Sequence, residues 1–135
     1  MSEKPFLTDI KTLRERARKH LEECLLGTGF ADRHLNKTNE IPTKALHSVL
    51  PICGDIRRAG AATLDLPYVA CGRLDGFWEW GLHLWDIAAG ILLIKEAGGI
   101  VCDPYGGEDY LKTGNIIAAN PIILRQLLKT IKPEL

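Results

Sequence analysis

The chain has 135 residues, 46% of them apolar, which predicts one compact domain with a hydrophobic core. Its 17 Lys and Arg residues balance 17 Asp and Glu residues, and no basic cluster contains aromatic side chains, so we expect no nucleic-acid partner. The four cysteines form no C-x-x-C pair, which favours reduced thiols in the core over a zinc or redox site. The sequence has no leader-like segment and no apolar run of about 18 residues, so we expect a cytoplasmic protein with no membrane partner.

The first 50 residues are predicted to form a helix, a strand and a second helix. A basic segment begins near Thr8 behind N-cap candidates, and its apolar residues recur on one helical face. These residues are Ile10, Leu13, Ala17 and Leu21. The apolar run at residues 24–26, stopped by two glycines, predicts a buried strand and a turn. A helix is predicted over residues 42–50, because Pro42 is permitted in a first turn and Pro51 ends the pattern.

The remaining sequence alternates between strand and helix patterns. Residues 54–60 predict a short strand, and a helix follows that ends at Gly72 and is bent at Pro67 unless that proline falls in the first turn. "RLDGFWEWG" predicts an aromatic strand, and "WDIAAGILLIKEAGG" predicts the strongest helix. "IVCD" and "NIIAAN" predict strands around a glycine-rich turn, and a last helix begins at Pro121. This order predicts an α/β fold, a mixed β-sheet covered by helices on both faces.

Asp86 stands at the first turn of the strongest predicted helix and has two interpretations. As an N-cap or first-turn residue it would accept backbone N–H bonds and contribute about 0.5–2 kcal/mol. Alternatively, its oxygens face a cleft and bind a hard divalent cation. Spacing alone favours the first interpretation, because a single carboxylate makes no metal site.

Two neighbouring features change this balance. Glu79 lies at the end of the aromatic strand, and "AGAAT", residues 59–63, offers backbone N–H groups at a helix start, where a phosphate or a hydroxyl-rich ligand can bind. A tight packing turn of small residues explains "AGAAT" at least as well. The glycine pair in "GTGF" can bring backbone close to a ligand, but such pairs are common in ordinary turns.

These segments resemble a known family. "WDIAAGILLIKEAGGIV", with "GAATLDLPYVACGRLDGFWEWGLHLWD" before it and "GNIIAANP" after it, is similar to the C-terminal half of the inositol monophosphatase family, over about residues 24–135. The Trp-Asp-x-Ala-Ala-Gly signature is specific to that superfamily of magnesium-dependent, lithium-sensitive phosphomonoesterases. The resemblance implies the C-terminal half of that layered α/β fold, Mg²⁺ as cofactor, and an inositol phosphate or similar phosphomonoester as substrate.

The resemblance also implies roles for particular residues. Asp86 would be the metal ligand that this half contributes, and Glu79 would contact a hydroxyl of the sugar-like substrate. Backbone groups that line the substrate site would come from Gly60, Ala61 and Ala62. Packing is implied for Trp85 and for the helix from Ile87 to Gly99, in which Ala88, Ala89 and Gly90 would permit close approach.

The family's other carboxylates come from a Gly-Glu pair and an Asp-Pro-x-Asp-Gly-Thr loop in its N-terminal half. Here the only Asp-Pro is Asp103-Pro104 and the only Gly-Glu is Gly107-Glu108, both in one glycine-rich turn. Without further carboxylates, two metal ions about 3.5–4 Å apart cannot be held, so we expect a domain that is catalytically incomplete alone. Apolar surface left by the missing half would favour a homo-oligomer or that half as partner. The alternatives are a non-catalytic oligomerising scaffold and an active phosphatase completed by another chain.

The first 23 residues do not resemble the phosphatase. "PFLTDIKTLRERARKHLEE", residues 5–23, resembles the leading helix of a small bacterioferritin-like protein. That family's iron-binding glutamates lie beyond the matched segment, so no iron site is implied, and Glu22 and Glu23 are expected to be solvated. The predicted organisation is therefore an N-terminal amphipathic helix at residues 1–23 and a phosphatase-like domain at residues 24–135.

Overall fold

A five-stranded sheet forms the centre of the computed structural model, which describes residues 18–29, 40–58 and 62–131. The strands are β1 (Leu25–Thr28), β2 (Asp55–Arg57), β3 (Gly76–Glu79), β4 (Ile100–Cys102) and β5 (Ile116–Ala119), in the spatial order β2-β1-β3-β5-β4. β1 pairs in parallel with β2 and β3, whereas β5 runs antiparallel to both β3 and β4. The predicted mixed sheet is confirmed.

Five α-helices connect or follow these strands within the described residues. They are α1 (Glu40–Val49), α2 (Ala62–Ala70), α3 (Leu84–Glu96), α4 (Tyr110–Thr113) and α5 (Pro121–Ile131), with 3-10 turns at Leu21–Glu23 and Leu50–Ile52. Pro42 and Pro121 lie in first turns, where the missing N–H costs no helical hydrogen bond. Pro51 lies in the 3-10 turn that follows α1, so the helix ends before this proline, as predicted. The short helix α4 was not predicted, because its residues follow a run of glycines and acids.

Two hydrophobic clusters cover the two faces of the sheet. Side chains alternate between faces along a strand, so Phe77 packs under α2 and α3 while its neighbour Trp78 packs under α1 and α5. On β5, Ile116 and Ile117 divide in the same way. The predicted helical layers on both faces are therefore confirmed.

Before β1 the structure has a short 3-10 turn, Leu21–Glu23, preceded by extended backbone at His20, where a continuous α-helix was predicted. Residues 1–17, which carry most of that predicted helix, lie outside the described residues. At His20 the backbone is extended, with φ −129° and ψ 126°, so the predicted helix does not continue to Leu21. Side-chain amides at and near α5 explain the difference, because they bind this segment's backbone groups: Gln126 donates to the Lys19 carbonyl at 2.8 Å and accepts from Leu21 N at 3.2 Å. Glu22 and Glu23 are exposed, as expected.

Helices α2 and α3 pack closely on one face of the sheet. A Cβ atom at Gly90 of α3 would lie 2.5 Å from Cβ of Leu66 in α2, so only glycine permits this approach. Pro67 is the sixth residue of α2 and so lies inside the helix, beyond its first turn. Gly72 and Gly98 follow the two helices with φ +84° and +89°, the left-handed conformation that commonly ends a helix.

The cysteines are all free, as the sequence predicts. Cys24 and Cys102 are buried, whereas Cys53 and Cys71 are only half buried, so the predicted core position holds for two of the four. Among the described helices, none has the length and apolar content to cross a membrane.

Candidate active site

The chain topology favours a ligand-binding crevice at the carboxyl ends of β1 and β3. These strands are parallel neighbours, and Thr28 of β1 lies opposite Trp78 of β3. After β1 the chain leads to α1 on one face of the sheet, and after β3 it leads to α3 on the other face. In open α/β sheets, ligands bind in the crevice that such a divergence opens at the carboxyl edge.

Glu79 and Gly29 meet at this point. Glu79 is the last residue of β3 and is half buried, and Gly29 directly follows β1 and is buried. A Cβ atom at Gly29 would collide with the Glu79 carboxylate oxygen Oε1, so this carboxylate lies against the Gly29 backbone. The second glycine of "GTGF" therefore makes room for a predicted site residue, a role that its sequence alone did not reveal.

Helix α2 starts at the same edge of the sheet, after β2. Ala62, its first residue, is buried in the cluster between α2, α3 and the sheet. The first backbone N–H groups of a helix have no partner within it, so such a start can offer donors to a ligand. Gly60 and Ala61, the other two predicted lining residues, lie outside the described residues.

Asp86 is the third residue of α3, which also begins at this edge. The N-cap of α3 is His83, with φ −85° and ψ 148°, so the N-cap interpretation of Asp86 is wrong and its first-turn position is confirmed. The Asp86 side chain lies outside the described side chains, and its role as a metal ligand stays a prediction.

Asp65 is a buried carboxylate that sequence analysis missed. It is 2% exposed in α2, and its Cγ lies 3.7 Å from the Cβ position of Gly27, against β1. Burial raises the pKa of Asp65, and the nearby Arg57 guanidinium partly opposes that rise. Its Oδ2 has no hydrogen bond to any described residue. The detectable signal was an acidic residue within the otherwise apolar "LDLP".

Asp103 also lies at the carboxyl edge of the sheet, but its carboxylate binds backbone groups of its own loop. It follows β4, and its carboxylate accepts hydrogen bonds from the backbone N–H groups of Tyr105, Gly107 and Asp109 at 2.8, 2.9 and 3.1 Å. Burial acts to raise the pKa of Asp103, but these N–H groups outweigh it and hold the pKa below its usual value. The single Asp-Pro of the sequence therefore builds a structural turn.

Trp85, Ala88 and Ala89 do not make the packing contacts that the resemblance implied. Trp85 is 77% exposed and stacks on His83, with ring centroids 4.5 Å apart and planes 9° from parallel. Both alanines are also exposed, because these three positions lie on the side of α3 that faces away from the sheet. The implied close approach holds for Gly90 alone.

The described side chains do not form a metal centre by themselves. Among them, no three His, Cys, Asp or Glu residues lie close enough together to hold an ion. Among the described residues, Glu79 and the backbone of Asp86 lie at one edge of the sheet.

Sequence comparisons identify relatives that are about twice as long as the segment that this chain matches in them. The sequence model of the inositol monophosphatase family matches residues 3–134, and so extends across the boundary predicted after residue 23. The chain is 48% identical over 127 residues to Nus factor SuhB of Pseudomonas aeruginosa, covering 93% of this chain and 46% of the relative. It is 46% identical over 131 residues to the inositol-1-monophosphatase of Mesorhizobium japonicum, covering 96% of this chain and 48% of the relative.

Solved structures agree with the sequence comparison. The extragenic suppressor protein suhB of Bartonella henselae superposes with a TM-score of 0.82 at 45% identity, covering 88% of this chain and 46% of that protein. The chain thus spans about half the length of the curated relatives it matches. Because the family's sequence model matches residues 3–134 and the fold superposes on a solved relative, the chain belongs to the inositol monophosphatase family.

Proposed function

We propose that this chain supplies one half of a magnesium-dependent phosphomonoesterase that acts on an inositol phosphate or a similar sugar-phosphate-like ester, and that it is catalytically incomplete alone. The observation that carries the proposal is the position of the Glu79 carboxylate against Gly29, at the carboxyl ends of β1 and β3. Helices α2 and α3 begin at this same edge, so the proposed substrate-binding and metal-binding groups come from neighbouring elements.

Each proposed site residue has a chemical role at that edge. The Glu79 carboxylate would accept a hydrogen bond from a substrate hydroxyl, and the backbone of Gly60, Ala61 and Ala62 at the start of α2 would bind the ester. Asp86 would be a Mg²⁺ ligand, since Mg²⁺ prefers carboxylate oxygen. When bound, the metal would act as a Lewis acid toward the phosphate ester.

We propose incompleteness because the family's other carboxylates come from a Gly-Glu pair and an Asp-Pro-x-Asp-Gly-Thr loop, and this sequence has neither at a corresponding place. Mg²⁺ requires near-octahedral coordination, and phosphatase sites with two metals need several carboxylates. Among the described side chains, no three His, Cys, Asp or Glu residues lie close enough together to hold an ion, and we assign no metal-dependent step to them.

Phosphate release tests the proposal. The purified chain should release no phosphate from inositol 1-phosphate in the presence of Mg²⁺ above the rate of an Asp86→Asn control. Turnover by the chain alone that Asp86→Asn abolishes would contradict incompleteness and favour a self-sufficient enzyme.

A non-catalytic oligomerising scaffold is the second candidate. The exposed Trp85 and its apolar neighbours on α3 favour it, because exposed apolar surface commonly marks an interface. Sedimentation that finds only a monomer at working concentrations would contradict this candidate.

We further propose a cytoplasmic location, which the four free cysteines support, and no nucleic-acid partner, because the charge is balanced. The name Nus factor belongs to the relatives that carry it. Titration of the purified chain with labelled RNA at low salt would test the second point, since tight binding would contradict it.

A further inference from the structure

Helix α2 contains a buried acid with an unsatisfied carboxyl oxygen. Asp65 is 2% exposed, and within the described part of the chain its Oδ2 atom has no hydrogen-bond partner. A buried carboxyl oxygen without a partner is costly when the group is neutral and far more costly when the group is charged. Such an atom in a native structure requires a physical explanation, and the surroundings of Asp65 supply one.

Asp65 occupies space that Gly27 leaves open on β1. The Asp65 Cγ atom lies 3.7 Å from the Cβ position of Gly27, and side-chain atoms of Leu74 and Phe77 lie 3.0 and 3.1 Å from the same position. A side chain at position 27 would compete for this space, so the glycine allows the Asp65 carboxyl to reach the sheet. The contact between the first turn of α2 and β1 therefore includes this carboxyl group.

The charged groups around Asp65 have opposite effects on its ionisation. Burial raises the Asp65 pKa, and the guanidinium of Arg57, which lies opposite Gly27 in the β1–β2 register, partly opposes that rise. Arg57 is exposed and forms no ion pair with Asp65 in the described structure. The Glu79 carboxylate lies on the same face of the sheet, two residues beyond Phe77 on β3. The buried side chains that α3 contributes to this cluster are apolar: Ile87, Ile91, Ile94 and Ala97.

The first turn of α2 is joined to the rest of the helix by fewer hydrogen bonds than usual. Pro67 lies inside the helix and has no N–H group, so the Thr63 carbonyl, four residues earlier, receives no helical hydrogen bond. In the helical pattern the Leu66 N–H, which pairs with the Ala62 carbonyl, is the bond that closes the first turn. A hinge at Pro67 lets this turn move while Val69, which is fully buried, stays packed.

We propose that Asp65 is a positioning residue, which seats the first turn of α2 on β1 while its carboxyl is protonated and releases that turn when the carboxyl gives its proton to water. In the seated state the neutral carboxyl lies over Gly27. In the released state the carboxylate is hydrated and faces the Arg57 guanidinium. The inference rests on the proposed function in one respect, because the moving turn begins at Ala62, the last of the three residues proposed to bind the ester.

The direction of the pH effect follows from the raised pKa of Asp65. The seated state holds the proton more tightly than the released, hydrated state, whose pKa is near the ordinary value of 3.8. The seated state is therefore favoured fully below that pH, and the advantage is lost as pH rises through the raised pKa. Across that interval the released population grows by up to about tenfold per pH unit.

Amide hydrogen exchange of the purified chain tests the proposal. After correction for the intrinsic exchange rate, the Leu66 N–H should exchange at least about tenfold faster at pH 8 than at pH 4, because the released turn exposes it. Asp65→Asn cannot ionise and should abolish this difference. The matched control Asp109→Asn, at an exposed acid before α4, should retain it. Pro67→Ala should slow the exchange at both pH values, because it restores the hydrogen bond that closes the hinge.

Two results of this experiment would overturn the role of Asp65. One is an equal pH dependence in the wild-type chain and in Asp65→Asn. The other is an equal pH dependence at Leu66 and at Ala70, in the packed end of the helix, since that would report unfolding of the whole domain.

A second measurement makes the test independent of the variants. Carbon-13 NMR titration of the wild-type Asp65 carboxyl should give an inflection above pH 3.8, at the pH where Leu66 exchange rises. An inflection at a different pH would overturn the proposal. Neither readout uses a substrate, so a missing phosphatase activity would contradict the proposed function alone, and a Leu66 exchange that ignores pH would contradict the role of Asp65 alone.

Discussion

Replacing Asp103 tests whether the loop after β4 is held by one carboxylate. Three backbone N–H groups, from Tyr105, Gly107 and Asp109, donate to the two Asp103 oxygens at 2.8–3.1 Å. The side chain is buried, so water does not compete freely for these bonds. Asp103→Ala removes all three acceptor contacts at once.

The expected loss is about 2–4 kcal/mol of unfolding free energy at neutral pH. Each hydrogen bond to a charged group contributes about 1.5–3 kcal/mol, but the exposed loop lets water reach some of the freed donors, so the three do not add fully. For a chain of this length, 1 kcal/mol lowers the melting temperature by roughly 3–4 °C, so a fall of about 7–14 °C is expected. Asp103→Asn keeps one carbonyl acceptor and should lose about half as much.

The effect should depend on pH in a defined direction. Because the folded state holds the Asp103 pKa below its usual value near 3.8, the ionised carboxylate stabilises the fold above that pH, and the contribution is lost as pH falls through the lowered pKa. Urea unfolding at pH 7 and at about pH 2.5 measures both values, with the exposed Glu108→Ala as the control. Equal losses for Asp103→Ala and Glu108→Ala, or a difference that does not shrink in acid, would refute this reasoning.

Three further predictions concern packing and thiol reactivity. Pro67→Ala should raise the free energy of unfolding, measured with urea, by about 1–2 kcal/mol, because the restored internal helical hydrogen bond outweighs the greater flexibility of the unfolded chain. A lower urea midpoint would contradict this. Gly90→Val should cost about 2–3 kcal/mol in thermal unfolding because it forces α2 and α3 apart, whereas Ala89→Val on the exposed side should cost less than about 1 kcal/mol; equal losses would contradict the close contact. Burial raises the pKa of Cys24 to about 12 and of Cys102 to about 11, so a thiol reagent at pH 8 should label these two only after unfolding, and equal labelling of all four cysteines would contradict their burial.

Much of the fold could be predicted from the sequence because the spacing of apolar residues and the positions of glycine and proline indicate the same element boundaries. The helix α3 follows from its apolar residues and from the glycines after it, and β3 follows from its aromatic run. The pairing of strands was less accessible, since only the structure shows that β5 lies between β3 and β4 and so separates strands adjacent in sequence.

The failures have a common physical origin in tertiary contacts. The amphipathic pattern before β1 predicted a helix up to Leu21, but His20 is extended, and the side-chain amide of Gln126, far away in sequence, binds the backbone of Lys19 and Leu21 on either side of it. Trp85 was expected to pack because of the family resemblance, but within the described residues it is 77% exposed and stacks on His83.

The candidate site shows the same limits. Glu79 was placed correctly at the end of its strand, whereas its contact with Gly29 joins residues 50 positions apart, which no local pattern specifies. Asp65 was overlooked because a single acid in an amphipathic helix normally faces water, and here it faces the sheet.

The most direct test of the central claim is complementation of activity. Phosphate release from inositol 1-phosphate with Mg²⁺ would be measured for this chain, for the unmatched part of the Mesorhizobium japonicum relative, and for the two together. We predict turnover only for the combination, and its loss when this chain carries Asp86→Asn. Equal activity of the combination with and without Asp86→Asn, or no activity in an isolated 1:1 complex, would contradict the claim that this chain contributes half of a shared phosphatase site.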